Sequence, residues 1–447
     1  MSSLKKLAIR GTIWTFIGYG GSQVLRLGAN LILTRLLVPE VFGLMSLVNT
    51  FIMGLVLFSD VGVGPSIIQN KRGNDPNFYN TAWTVRVIRG FFIWFACLLI
   101  AYPLSIFYDT PELKWLIPIL GLNSIVTGFQ STALHLLDRN INVEKKTLFD
   151  IGIQIFSLTI TIILVWFNRN ILSLVIATII SGLLSTIISH QLIKEVKNTF
   201  TWDKKSLEEL FSFGKWIFIS TIGTFLAMQS DRLILGRLFS IEILGIYTIA
   251  FTFADISLQM INRINGTVVF PLISKSSDLP RKILREKILS KRKFLLAIGI
   301  LFVTVLSCFG DLLILTLYDD RYKQGSWMLP ILALGIWPNL LAVTMRSVQM
   351  GIGKPMYGAY GYLLKFIYMI ILLPLMSNIM GILGAILVIA FNDFPFYIAV
   401  QYGLWKEGLM TIKQDILATL LLITIISLII LIRYYLGAGF PLAYLSL

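Results

Sequence analysis

Two stretches decide how this chain is read: Arg35-Leu36-Leu37-Val38-Pro39-Glu40-Val41-Phe42-Gly43 and Arg237-Leu238-Phe239-Ser240-Ile241-Glu242-Ile243-Leu244-Gly245. Arg237 follows Arg35, and Gly245 follows Gly43, by the same 202 positions, with Leu and Glu repeating between them. The same offset sets Trp14 on Trp216 and Phe16 on Phe218, so the match reaches back into the apolar run before each turn. Each stretch is a polar turn between two long apolar runs, which is the place a duplicated half would put its first hairpin.

With 56% hydrophobic and 14% charged residues over 447 positions, the chain cannot cover itself with a water-soluble surface. Apolar runs of the roughly 20 residues needed to cross a hydrocarbon layer of ~30 Å recur throughout. Backbone groups in lipid must pair within their own segment, so continuous runs of this kind predict helices. The expected spans of the first half are 12–33, 41–63, 84–107, 115–137, 148–167 and 171–193. Those of the second half are 214–235, 243–268, 294–317, 327–349, 357–376 and 380–402, and a further run covers 416–436. The fold class expected is therefore an all-α polytopic membrane protein, with two pseudo-symmetric six-helix lobes and at least one extra C-terminal helix. The expected division is an N-lobe at 1–200, a C-lobe at 201–410 and an additional helix with its tail at 411–447.

Basic residues are retained on the cytoplasmic side of short loops. Lys5, Lys6, Arg10, Lys71, Arg72, Arg139, Lys145, Lys146, Lys194, Lys197, Lys204, Lys205, Lys275, the cluster from Arg281 to Lys293, Lys354, Lys406 and Lys413 all fall on even-numbered connections or at the amino end. On the opposite side stand only Arg35, Lys114, Arg169, Arg237, Arg321 and Lys323. This asymmetry predicts a cytoplasmic amino terminus, retained as a first helix, and makes the net charge of +15 mainly a topology signal, not a nucleic-acid footprint. Two inner segments suggest extra structure. Ser206-Leu207-Glu208-Glu209 has capping-box spacing for a short interfacial helix. Arg281 to Lys293 carries Ile283, Leu284, Ile288 and Leu289 on one face, the pattern of a surface helix on anionic lipid.

Bases inside apolar runs are the informative residues, because one at mid-bilayer costs at least ~2.5 kcal/mol and persists where it meets a wet cavity or a partner. Arg86, Arg89, Lys215 and Arg433 lie near span ends and are expected to snorkel. Arg26 lies nine residues before Arg35, about 13 Å deep at 1.5 Å per residue. The offset of 202 sets Arg232 on Asn30, one turn from Arg26 and on the same helix face. Arg263, Arg346 and Lys365 complete the set. Asp60, Asp231, Asp255 and Asp393 are the candidate intramembrane carboxylates, as ion-pair partners or coupling groups. A cavity lined by Arg26, Arg232, Arg263, Arg346 and Lys365 would attract an anion, and guanidinium groups match phosphate oxygens in bidentate geometry.

The remaining signals are weaker. Cys97 and Cys308 sit in separate apolar runs, as packing residues, and His135 and His190 at span ends are expected to be interfacial, so no metal site, triad or cofactor is expected. Gly18, Gly20, Gly21 and Ser22 give the first span a small face for close helix approach. Pro338, Pro374 and Pro395 fall inside spans, where they would kink helices.

Leu33-Thr34 followed by the first turn, then Ser59-Asp60-Val61-Gly62 with Ile67-Ile68-Gln69, resembles the start of Wzx-type polysaccharide flippases. Asp231-Arg232-Leu233-Ile234-Leu235-Gly236 with Gly245-Ile246-Tyr247 resembles the start of their second half. The resemblance covers about the first 400 residues and places the chain in the superfamily of multidrug and oligosaccharidyl-lipid exporters. It implies two six-helix lobes, alternating access and transfer of an undecaprenyl-diphosphate-linked oligosaccharide across the bacterial inner membrane, for surface polysaccharides such as O-antigen or exopolysaccharide. It also implies membrane lipid and polysaccharide polymerase or assembly proteins as partners, and no nucleic acid. The family's important first-span arginine corresponds to Arg26, and the bases of its seventh and eighth spans to Arg232 and Arg263. The chain departs from twelve- and fourteen-span relatives at its carboxyl end, where one extra run precedes the tail.

A cation-coupled drug exporter of the same superfamily would favour an acidic cavity, whereas the bases named here outnumber the acids. A membrane glycan polymerase or ligase would need a large outer catalytic loop, and the longest outer connection is only about ten residues. No Walker motif is present, so a transporter of this kind draws on an ion gradient, the membrane potential or substrate flux.

Overall fold

A computed structural model describes the backbone of residues 2–266 and 279–446, with side chains outside 1–13, 15–16, 213–220, 264 and 445–447. Val268, at the end of the eighth expected span, and Lys275 lie outside the described residues. So do the side chains of Lys5, Lys6, Arg10, Phe16, Lys215, Trp216 and Phe218.

The described residues form fifteen α-helices: α1 (Ser2–Leu36), α2 (Pro39–Phe58), α3 (Val63–Gln69), α4 (Pro76–Phe107), α5 (Leu113–Gly128), α6 (Ala133–Arg139), α7 (Val143–Phe167), α8 (Ile171–Ser189), α9 (Lys204–Leu238), α10 (Ile241–Ile264), α11 (Arg281–Leu317), α12 (Gly325–Gly351), α13 (Met356–Ala390), α14 (Phe394–Lys406) and α15 (Ile412–Tyr435). Among them nine segments are long and apolar enough to cross a membrane, one of which, Met356–Lys406, takes in both α13 and α14. The chain is an all-α, multi-pass membrane protein. Its contacts divide it into two compact units, Met1–Ile222 and Gly223–Leu447, with the division inside α9.

The repeat is visible in the helix ends. α1 and α9 are both 35 residues long, and Lys204, Leu238 and Ile241 follow Ser2, Leu36 and Pro39 by the same 202 positions. The recurring residues have a local reason. Arg35 and Arg237 stand in the last turns of α1 and α9, where carbonyl ends favour a cation, and Glu40 and Glu242 stand in the first turns of α2 and α10, where amide ends favour an anion. Pro39 adds a fixed φ at a helix start, where its missing N–H is no loss.

Several expected spans are broken or extended. The fourth, 115–137, is two helices, α5 and α6. The turn between them is held from outside: Ser131 N–H donates to Ser189 Oγ at 2.9 Å, and Ser131 Oγ donates to Asn198 Oδ1 at 2.8 Å. Asn198 Nδ2 in turn donates to Thr132 Oγ1 at 2.8 Å. Satisfying the freed backbone groups in this way lets a helix break inside an apolar unit. The expected interfacial helix at 206–209 is the first part of the continuous α9, capped earlier than Ser206 would do it, because Asp203 Oδ2 accepts the Ser206 N–H at 3.0 Å. In the other unit, α13 turns at Gly381 (φ 60, ψ −144), a backbone region open to glycine, and Asn392-Asp393 separate it from α14. Pro395 therefore opens a helix and does not kink one.

Arg281 to Lys293 is not a separate surface helix. It is the first third of the 37-residue α11, and Leu284 and Ile288 on its apolar face are buried in a core with Met345, Val348, Leu404 and Leu409. Protein covers Leu284 and Ile288 on that face, while Ile283 is 52% exposed and Leu289 lines an open groove. Arg292, counted from the sequence as a loop base, is 3% exposed and pairs with Asp415 at the start of α15. Arg433, expected to snorkel, is 4% exposed and pairs with Asp311 of α11. The two pairs fasten α15 to α11 at both of its ends.

Candidate functional site

In the unit Gly223–Leu447, α9, α10, α12 and α13 enclose a cavity of about 350 Å³. Arg232, Lys365, Asp231, Asp255 and Asp393 all line it, so five of the nine charged residues singled out from the sequence share one hollow. Close helix approach shapes its wall. A Cβ on Gly335 of α12 would lie 2.1 Å from the Ala390 carbonyl oxygen, so only glycine lets α12 meet the end of α13 there.

Each side chain in the cavity has a defined setting. Lys365 Nζ donates to Asp393 Oδ1 at 2.7 Å, and Asn339 Nδ2 donates to Asp393 Oδ2 at 2.9 Å. Lys365 and Asp393 are both buried, a situation tolerated only when charge and hydrogen bonding are satisfied together. Arg232 Nη1 donates to Gln229 Oε1 at 2.6 Å, and its guanidinium lies 5.5 Å from the centre of the Phe251 ring. Asp231 Oδ2 accepts from the Tyr247 hydroxyl, and Asp255 Oδ2 accepts from Gln259 Nε2. Asp231 Oδ1 and Asn339 Oδ1 are buried and take no hydrogen bond among the described residues. Two bases and three carboxylates thus face the same small volume, with two acceptor oxygens in reserve.

The other four residues lie elsewhere. Arg346 Nη1 donates to the Tyr362 hydroxyl at 2.8 Å and its guanidinium stacks 5.0 Å from that ring, away from the cavity lining. Arg263 is exposed in the last turn of α10. Arg26, in the unit Met1–Ile222, is exposed on α1. Asp60 is paired within its own unit: Arg89 approaches Asp60 Oδ1 at 3.5 Å and also donates to Ser59 Oγ at 2.9 Å and to the Val56 carbonyl. Arg89 therefore does not snorkel; it holds the end of α2, where Gly62 N–H also bonds Asp60 Oδ1 at 3.0 Å. Arg86 likewise turns inward and donates to Gln130 Oε1 at 2.8 Å. Sequence reasoning missed Asp311 and Asp415 as intramembrane partners. Asp311 stood in plain view as a carboxylate inside the ninth apolar run.

At the polar end of the first unit, Arg72 gathers three carboxylates: Asp75 at 2.9 Å, Asp203 at 3.3 Å and Glu209 at 3.3 Å. The hydrogen bond to Asp75, then those to Asp203 and Glu209, raise the Arg72 pKa above its ordinary value. Hydrogen bonds from the Ser206 hydroxyl and N–H, and then Arg72, hold the Asp203 carboxyl below the usual carboxylate range.

The fold and cavity define a multi-pass helical membrane protein with a charged hollow inside one unit. Residues 32–326 match the model of the family described as polysaccharide biosynthesis protein. The chain belongs to that family. It is 21% identical to the lipopolysaccharide biosynthesis protein WzxC of Escherichia coli over all of this chain and 85% of that one. It is 23% identical to a putative O-antigen transporter of Shigella flexneri, over 84% of this chain and 93% of the relative. The teichuronic acid biosynthesis protein TuaB of Bacillus subtilis is also 23% identical, over 62% of this chain and a little over half, 57%, of its own length. The fold is shared with the lipid II flippase MurJ in an inward closed conformation, at a TM-score of 0.67 and 16% identity over 96% of this chain and 93% of MurJ. An inward-facing multidrug transporter of the MATE family has a TM-score of 0.65 at 12% identity, over 90% and 95% of the two chains.

Proposed function

We propose that this chain is a translocase that moves an undecaprenyl-diphosphate-linked oligosaccharide across the bacterial inner membrane by alternating access, feeding surface polysaccharide assembly and its polymerase. The observation that carries this reading is the charged hollow within a membrane-spanning unit of a polysaccharide biosynthesis family member. Arg232 and Lys365 are the bases poised for a diphosphate there, and Arg26 is the base offered by residues 1–200, the N-lobe in this reading. Residues 201–410 form the C-lobe, and 411–447 add the accessory helix and tail. The amino terminus is cytoplasmic, the process makes and breaks no covalent bond, and no cofactor is needed.

A second reading, a cation-coupled exporter of drugs, is favoured by one feature: the cavity holds three carboxylates against two bases. Deletion in the producing strain, followed by identification of the glycan lipid held on the cytoplasmic face, separates the two. A translocase deletion accumulates that lipid; restoration by the wild type but not by Arg26→Ala, at equal membrane levels, supports the assignment. Unaltered glycan lipids together with lost extrusion of cationic dyes would replace it with the exporter.

A further inference from the structure

Between α11 and α15 runs a groove of about 610 Å³, separate from the charged cavity. Its apolar part is walled by Leu296 and Ile300 of α11 and by Leu417 and Leu421 of α15, and the two α15 leucines are 69% and 53% exposed. Toward the Arg281 end of α11 the lining turns polar in a fixed order, Lys293, then Ser290, then Glu286, with Gln414 of α15 beside them. The α11 residues are three or four positions apart and so form one stripe.

Three neighbouring arginines are already engaged, and Lys293 is the base of this helix that lines the groove. Arg281 bonds Glu407 at 3.1 Å, Arg285 donates to the Met410 carbonyl at 2.8 Å, and Arg292 pairs with Asp415. Lys293 and Glu286 are exposed and make no ion pair or hydrogen bond among the described residues. Gln414 donates Nε2 to the Leu289 carbonyl at 2.8 Å, which leaves its Oε1 buried with no donor among the described residues. A buried acceptor in that state calls for a donor from outside the chain.

We propose that this groove binds one aminophospholipid of the phosphatidylethanolamine class. An acyl chain lies along the leucine walls, the phosphate meets the Lys293 ammonium, and the head-group ammonium donates to the Glu286 carboxylate and to Gln414 Oε1. Outward from the membrane core, the lipid presents chain, anion and cation, and the groove presents apolar wall, cation and anion. Lys293 and Glu286 are seven residues apart, about 10 Å along the axis, and the lysine stem shortens the gap by reaching toward the interface. Phosphatidylglycerol has no cation for Glu286. Phosphatidylcholine has a cation but no N–H for Gln414.

The test is native mass spectrometry of delipidated full-length protein titrated with the three defined lipids. Phosphatidylethanolamine is expected to be retained about threefold or more over the other two, and Lys293→Ala to lower its retention about tenfold, the value of a charge-assisted hydrogen bond. Glu286→Gln should lower retention of phosphatidylethanolamine to the level of phosphatidylglycerol, whose own retention it should not reduce. Leu421→Trp, which fills the groove without touching a charge, should lower retention of all three. Equal retention of the three lipids by the wild type, or undiminished retention by Lys293→Ala, overturns the proposal. Displacement of phosphatidylethanolamine by equimolar undecaprenyl phosphate also overturns it, since the groove would then be a polyprenyl site.

Discussion

Lys365–Asp393 and Arg292–Asp415 are the same chemical object, a base and an aspartate buried inside one membrane-spanning unit, yet they do different things. Lys365–Asp393 opens on a cavity shared with Arg232, Asp231 and Asp255. Arg292–Asp415 opens on nothing. It is closed over by Tyr397, Gln401 and Thr411 donating to Asp415 Oδ2, and by Thr344 and the Leu341 carbonyl accepting from Arg292. A charge in an apolar run is a functional candidate by default, but the packing around it decides whether it is a site or a staple.

The largest expected effect breaks the staple. Arg292→Ala or Asp415→Ala leaves one buried charge alone and should destabilise the protein by about 3–5 kcal/mol, read as a fall in thermal midpoint in detergent. The paired replacement Arg292→Met with Asp415→Leu should recover most of that loss, as expected for a pair that only fastens α15. Lys365→Met should destabilise less, about 1–3 kcal/mol, because the cavity lets water reach Asp393. Its double with Asp393→Asn should recover the midpoint without recovering glycan-lipid transport. Full transport by that double would make Lys365–Asp393 a staple as well.

Gly335→Ala sharpens the comparison without touching a charge. The added methyl meets the Ala390 carbonyl, forces α12 and α13 apart, and should cost about 1–3 kcal/mol while altering transport through the shape of the cavity. The smallest effect belongs to the partly exposed cluster at Arg72, where solvent weakens each ion pair. Asp203 has a lowered pKa in the folded state, so it stabilises above the ordinary carboxylate value of about 3.9 and that contribution is lost as pH falls through its folded value. Limited proteolysis between Ser189 and Lys204 should therefore speed up only in that acid range, and Arg72→Ala should weaken the dependence.

Charged residues stand out against apolar runs, so Arg232, Lys365, Asp231, Asp255 and Asp393 were legible as candidates from the sequence. Their partners were not. Lys365 and Asp393 are 28 positions apart, Arg292 and Asp415 are 123, and no helical periodicity reaches over such separations. Arg346 and Arg263 carried the same signal as Arg232, yet they lie outside the cavity, because a residue's place on its helix face is set by what packs beside it.

The sequence by itself determined the all-helical, multi-pass class and the internal repeat. Lipid forces each span to satisfy its own backbone, and the turn residues complement helix ends locally, so both leave their mark along the chain. Only the tertiary structure decided where helices break, as at Ser131 and Asn392, and which charges face a hollow. Those choices rest on donors and acceptors supplied by distant segments, which a linear reading does not bring together.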